Sequence, residues 1–127
     1  MSPTDYSPRV RALFAGPPCA GHLPEGPGER RRGEAGSPEQ GAWVVFEARV
    51  VAGRVGEAVF RAWGCPHVIA ASALVAEWLG GRPIGEAADV DVQALAAELD
   101  LPPAKLGRLL IVQDAAASLA SLGVPGR

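Results

Sequence analysis

Two alternating runs split by a two-residue break, with a long apolar run directly after them, constrain this chain more than any other feature. Between Trp43 and Val51, Val44, Phe46, Ala48 and Val50 share one face, and Glu47 and Arg49 share the other. After Ala52-Gly53 the alternation resumes from Arg54 to Trp63, with Ala58 and Phe60 opposed to Glu57 and Arg61. A period of two marks strands, and a glycine at the break predicts an antiparallel β-hairpin. Residues 66–79 abandon that period. Val68, Ile69, Leu74, Val75, Trp78 and Leu79, with four alanines among them, predict a helix that is apolar nearly all round and therefore central and buried. Pro66 suits its first turn and Gly80-Gly81 its end.

Elsewhere the signals are shorter. Residues 5–14 predict an amphipathic helix, with Val10, Leu13 and Phe14 on one side, Arg9 and Arg11 on the other, and Pro8 in the first turn. Residues 15–41 are dense in Gly and Pro and read as a loop with no regular element. Asp91 caps a short helix carrying Val92, Leu95, Ala96 and Leu99 at helical spacing. Leu101-Pro102-Pro103 interrupts it. A last helix is expected from Ala104 to Leu122, ended by Gly123-Val124-Pro125. Strands followed by helices predict an α+β domain spanning 1–127: a small antiparallel sheet with helices packed on one face and a Gly/Pro-rich loop at 15–41.

The charge pattern excludes several classes of function. Net charge is −2; residues 1–61 carry 8 basic and 7 acidic side chains, and residues 62–127 carry 4 and 7. That is no nucleic-acid footprint, and Arg30-Arg31-Arg32, flanked by Glu29 and Glu34, reads as a solvated loop. No run reaches the roughly 18–20 apolar residues of a membrane span. The start, MSPTDYSPRV, lacks the apolar stretch of a secretory leader, so the expected location is cytoplasmic. A Cys19–Cys65 disulfide is not expected in that compartment.

Chemistry concentrates at Ala62-Trp63-Gly64-Cys65-Pro66-His67, where the strand pattern gives way to the helix pattern. A thiol there sits at a helix start, whose open N–H groups favour a thiolate, which is both a nucleophile and a soft metal ligand. As a nucleophile it lacks a base, because His67 at i+2 would not face it along a helix and His22 is remote in sequence. As a ligand it has company. Cys19, His22, Cys65 and His67 are all the cysteines and histidines of the chain, and two thiolates with two imidazoles can form a tetrahedral zinc set. The plainer reading of Cys19 and His22 is as residues of a flexible loop. Trp43 and Trp63 lie opposite Phe46 and Phe60, so either can be partly exposed; Trp78 is expected in the core. The Leu101-Pro102-Pro103-Ala104-Lys105 segment reads as a helix connector, or as a preformed extended peptide for a partner's groove.

Taken in order, these segments resemble the IscU-type, NifU-N-terminal-like family of iron–sulfur cluster assembly scaffolds. Gly36-Ser37-Pro38-Glu39-Gln40-Gly41 is similar to the family's Gly-Ala-Pro-Ala-Cys-Gly loop, and Phe60-Arg61-Ala62-Trp63-Gly64-Cys65 to its F-x-x-x-G-C. Ala70 to Trp78 resembles its A-S-S-S-L-x-T-E-W helix, and Leu101 to Lys105 its L-P-P-V-K chaperone-recognition motif. Tyr6-Ser7-Pro8-Arg9 and Asp114-Ala115 resemble its Y-x-N-P-R and E-D-A.

The resemblance implies a binding protein and not an enzyme, one that handles iron, a [2Fe–2S] cluster or zinc. Its implied partners are a cysteine desulfurase and an HscA-type chaperone that reads Leu101, Pro102, Pro103, Ala104 and Lys105. The family holds its cargo with three cysteines, helped by an Asp and a His. Cys65 matches the middle cysteine. Gln40 stands at the first, Ala42 at the Asp, and Gly107-Arg108 at the His-Cys pair. Cys65 is thus the first ligand candidate, and His67, Cys19 and His22 are possible replacements. Two other readings stay open: a degenerate scaffold that acts as accessory or regulator of the assembly machinery, and a zinc-stabilised interaction domain.

Overall fold

In the computed structural model, residues 6–121 are described. Four α-helices, α1 (Pro8–Ala15), α2 (Pro66–Leu79), α3 (Val92–Leu99) and α4 (Leu106–Ser121), pack with three strands, β1 (Glu29–Ser37), β2 (Ala42–Val51) and β3 (Arg54–Trp63). The strands form an antiparallel sheet in the order β1-β2-β3. The α+β class and the packing of helices on one sheet face are as expected. The anticipated end of the last helix, at Leu122 to Pro125, lies outside the described residues.

The hairpin forms as its alternation requires. Ala52 and Gly53 turn the chain with φ of +54° and +79°, the double left-handed geometry whose twist suits two-residue hairpins. Phe46 pairs with Phe60 and Trp43 with Trp63. Val44, Phe46, Ala48, Ala58 and Phe60 enter one core with Val68, Ala71, Val75 and Leu79 of α2 and Leu109, Val112 and Leu119 of α4. Helix α2 spans the stretch its apolar run marks. The Ser7 hydroxyl caps α1 by accepting from the Val10 N–H at 3.2 Å and donates to the Leu99 carbonyl at 2.9 Å, tying α1 to the end of α3. Trp78 departs from expectation: it is only half-buried, with the Arg82 guanidinium 4.2 Å above its ring.

The larger departure is in 15–41, read as a loop. Its second half is β1, paired along its whole length with β2 from Glu29↔Val50 to Ser37↔Ala42. The arginine run is therefore a strand. Arg31 donates to the Leu119 carbonyl at 3.0 Å, Arg32 pairs with Glu34 at 2.6 Å, and Arg30 reaches the Leu23 carbonyl at 3.0 Å and Glu47 at 3.6 Å. Glycine makes the strand possible where local propensity opposes it. A β-carbon on Gly33 would overlap the Ala115 carbonyl oxygen and lie 2.9 Å from the Leu119 nitrogen, so α4 rests directly on the backbone of β1.

The first half of that segment is a strap. Cys19 accepts from the Phe60 N–H and Gly21 donates to the Phe60 carbonyl, both at 2.9 Å, forming a parallel bridge on the free edge of β3. The chain then crosses the sheet face that carries no helices. Leu23 is buried there, as are Val45 and Val59, apart from the main core. Glu47 anchors the crossing: it accepts from the Leu23 N–H at 3.3 Å and from Arg61 at 3.0 Å. Burial raises the Glu47 pKa, but the hydrogen bonds from Arg61 and Leu23 and the charges of Arg61 and Arg30 outweigh it, and the carboxyl ends below its usual range.

Two outcomes follow from this packing. Gly33→Ala forces α4 off β1 and is expected to cost about 1–3 kcal/mol, as overpacking does, measured by urea unfolding. Glu47→Gln is expected to cost about 1–3 kcal/mol at pH 7, the range for hydrogen bonds to charged groups. Because the folded pKa of Glu47 is depressed, that difference is fully present above the unfolded value of about 4.5. It should close as pH falls through the folded value. Melting curves of both proteins between pH 7 and 3 check it.

Candidate functional site

Three segments meet at the end of the sheet where β3 runs into α2. The first is the turn at Pro38–Gln40 between β1 and β2, capped by Ser37 and closed by Gly41 at φ +82°. The second is the β3–α2 junction. Gly64 turns the chain at φ +153°, and a β-carbon there would sit 3.1 Å from the Val68 side chain and 3.3 Å from the Gly41 carbonyl. Both positions therefore require glycine, for conformation and for close approach. The third is the start of α4, where the guanidinium of Arg108 lies over Gly41, its Nη2 3.1 Å from where a β-carbon would be.

Cys65 is the N-cap of α2, in extended conformation, and its side chain caps no backbone N–H. Its Sγ lies 4.0 Å from Nδ1 of His67. This corrects the expectation that His67 cannot face it. The i, i+2 rule holds inside a helix, whereas Cys65 stands just outside one. His67 is 2% exposed, and its ring packs 4.9 Å from that of Tyr6 with the planes tilted by 55°. Burial, then the positive charges of Lys105 and Arg108, hold its pKa below the usual value of 6.5. The fold thus favours the neutral imidazole, and the stability this confers declines as pH falls from about 6.5.

Gln40, Gly107 and Arg108 border one cleft, with Ala104, Ile111 and Asp114. Three of the positions named from the resemblance thus share one cleft, to which they bring an amide, a glycine and a guanidinium. Ala42 is fully buried at the start of β2. Lys105 and Arg108 have no carboxylate within ion-pair distance among the described residues. Pro102, Pro103 and Ala104 are exposed, Leu101 packs against the core, and a short turn at Pro103–Lys105 opens α4.

Cys19 and His22 are not brought to this place. Cys19 is held in the strap beside Phe60 with φ +65°. Burial, then the charges of Glu77 and Glu57, push its thiol pKa up. His22 Nδ1 lies 3.1 Å from Arg61 Nη1. The four-residue zinc set is not assembled: among the described residues no group of three or more His, Cys, Asp or Glu side chains is placed to hold a metal ion. On the outer face of the same end, Trp63 is 54% exposed, while Trp43 donates to Glu34 at 2.6 Å. Sequence reasoning missed Tyr6 as the neighbour of His67, although its motif is among those that carry the resemblance.

The comparisons with known proteins agree with this architecture. A model of the NifU-like N terminal domain matches residues 5–121. A protein of Escherichia coli K12 named iron–sulfur cluster assembly scaffold protein IscU is 31% identical over 111 residues, covering 87% of this chain and 87% of that protein. Its namesake from Azotobacter vinelandii is 32% identical over 111 residues, with 87% of each chain covered. Among solved structures, a protein described as an iron–sulfur cluster assembly scaffold for the SUF system of Fervidobacterium islandicum AW-1 superposes with a TM-score of 0.67 at 13% identity, covering 91% of this chain and 96% of that one. The N-terminal part of a NifU-like protein from Brucella abortus gives 0.54 at 18%, covering 94% and 89%. These two structural likenesses speak for the fold, and the matched residues and curated relatives speak for the lineage: the chain belongs to the NifU-like N-terminal domain family.

Proposed function

We propose that this chain is a scaffold-type component of iron–sulfur cluster assembly, a binding protein and not an enzyme, that takes its cargo at Cys65. The observation that carries the reading is that, in a chain of this family, Gln40 and Arg108 border one cleft, Arg108 lies over Gly41, and the Gly41 carbonyl faces Gly64, the residue before Cys65. The N-cap position of Cys65 supports its role: the sulfur is free of any cap bond and stands beside the imidazole of His67.

The donor set limits what one copy can hold. An iron–sulfur cluster is ordinarily held by four thiolates, and zinc by four nitrogen, sulfur or oxygen donors. Here Cys65 supplies one thiol and His67 one buried ring nitrogen, while Gln40, Gly107 and Arg108 supply no anionic ligand. These residues do not fit a [2Fe–2S] cluster or a zinc ion held by this chain alone, so the remaining ligands must come from outside it. A cysteine desulfurase is the sulfur-supplying partner of this reading, and the exposed Pro102-Pro103-Ala104 ridge ending at Lys105 is the surface offered to an HscA-type chaperone. The expected setting is the cytoplasm; among the described residues no helix is long and apolar enough to cross a membrane.

A second reading is favoured by the unpaired guanidinium of Arg108 on the cleft: an accessory that engages the same machinery without building a cluster. Anaerobic reconstitution with ferrous iron and sulfide separates the two. With excess glutathione as external thiol, the wild-type chain should acquire the visible absorption of an iron–sulfur chromophore, Cys65→Ser should lose it, and Cys19→Ser should keep it. No chromophore under these conditions, or one indifferent to Cys65→Ser, abandons the scaffold reading. Co-purification with the desulfurase then tests the accessory.

A further inference from the structure

A second opening lies between the later half of α2 and α3. Leu74, Val75 and Trp78 on one side and Val90, Ala94 and Leu95 on the other wall a cavity of about 170 Å³. Val75 and Val90 are buried, whereas Ala94 is exposed, so the cavity has an apolar base and a mouth open to solvent. Trp78 is a fixed wall: the Arg82 guanidinium lies 4.2 Å from its ring centroid, and Arg82 Nε donates to the Trp78 carbonyl at 2.8 Å. An apolar cavity of about 150 Å³ accepts a benzene ring, so one Leu, Met or Phe side chain suits this one. The rim is acidic. Asp91 and Glu98 border the cavity, and both are exposed. Residues 83–104 carry Glu86, Asp89, Asp91, Glu98 and Asp100 and no Lys, Arg or His. Arg82 pairs with Glu86 at 3.3 Å and Arg9 with Glu98 at 3.1 Å. Asp89, Asp91 and Asp100 have no cation within ion-pair distance among the described residues. Asp91 is also held in place, because as N-cap of α3 it accepts from the Ala94 N–H at 3.0 Å.

We infer that this cavity is a docking pocket for a partner protein that presents one large apolar side chain from a basic segment. The anchor enters between Trp78 and Leu95, and Lys or Arg residues beside it meet Asp91 and Glu98 on the rim. Size and charge together choose the occupant. A single apolar anchor seated in a well-walled pocket supplies most of the energy of such contacts. A rim of one sign selects the opposite sign in what approaches, and an acidic segment would meet like charge here. The pocket serves a different face from the one that carries the proposed function. At about 1.5 Å per residue along α2, Trp78 lies roughly 20 Å from Cys65, so a partner anchored here leaves the Cys65 end open.

The probes are short capped peptides titrated into the isotope-labelled full chain and followed by NMR. One carries a central Phe flanked on each side by Lys and Arg. A second replaces the Phe by Ala, and a third replaces the basic flanks by Glu. The basic Phe peptide should shift the amide signals of Leu74, Trp78 and Leu95 saturably at millimolar concentration or below. The Ala peptide should bind about ten-fold or more weakly, the transfer energy of one large apolar side chain. The acidic peptide should bind more weakly still, and added salt should narrow the gap between the two flanks. Asp91→Asn keeps a good N-cap while removing the rim charge. It should weaken the basic Phe peptide about two- to four-fold at low salt, the size of one unit charge acting through water at a few ångströms. Ala94→Trp, at an exposed position of the wall, places a bulky side chain at the mouth and should abolish the shifts.

No saturable shift at Leu74, Trp78 and Leu95 with the basic Phe peptide overturns the inference. Equal binding of the Phe and Ala peptides reduces the effect to a diffuse field and overturns the pocket. Equal binding of basic and acidic flanks, or affinity unchanged in Asp91→Asn, overturns the basic partner. Sedimentation of the chain alone tests the other occupant: a dimer that Ala94→Trp converts to monomer assigns the pocket to a second copy and overturns the proposal. The peptide series is read on the wild-type chain, so it stands even if Ala94→Trp fails to fold. None of these readouts uses Cys65 or cluster formation, so the pocket can fail while reconstitution succeeds, or stand while reconstitution fails.

Discussion

The Cys65 end of the molecule depends on the approach of two glycines. A β-carbon on Gly64 would come within 3.3 Å of the Gly41 carbonyl, and one on Gly41 within 3.1 Å of the Arg108 guanidinium. Two backbone segments are thereby brought together, and the Arg108 side chain is laid over Gly41 from the start of α4. A β-carbon at either glycine would crowd these contacts by a few tenths of an ångström and strain a backbone held at positive φ. The close packing of α4 on Gly33 serves the same arrangement from a distance, because it fixes the axis along which Lys105 and Arg108 are presented.

What could be read from the sequence was whatever local period decides. The alternation of 43–51 and 54–63 and the apolar run of 66–79 are strong enough to specify a hairpin and a buried helix without help. Strand β1 was illegible because its evidence is not local. Three arginines and two internal glycines argue against a strand, and only the partners in β2 and the backbone of α4 reverse that. The relation of Cys65 to His67 was misread for a subtler reason. Helical geometry was applied to a residue that caps the helix from outside. Arg108 at a ligand position was readable only through the family resemblance, and its contact with Gly41 only through the fold.

The site shows how a fold can outlast its ligands. The backbone still gathers the turn at 38–41, the junction at 64–67 and the start of α4, because that gathering is enforced by glycines and core packing and not by a bound metal. With the gathering preserved, an amide at Gln40 and a guanidinium at Arg108 stand where the resemblance expects donors, and the fold is intact. Cys65 keeps its place because the place is built by backbone geometry. The side chains around it are a separate matter, because glycines and core packing build the place without them.

The strap has a consequence for how the molecule behaves in a crowd. Three-stranded sheets offer two free edges to any passing strand, and exposed edges invite pairing between molecules. Here Cys19–Gly21 occupy the edge of β3 at Phe60, and Pro83 bridges the same strand at Arg54. The outer edge belongs to β1, which carries Glu29, Arg30, Arg31, Arg32 and Glu34. One edge is closed by the chain's own backbone and the other is guarded by charge. The chain can therefore expose a tryptophan at one end without its sheet becoming a template for pairing between molecules.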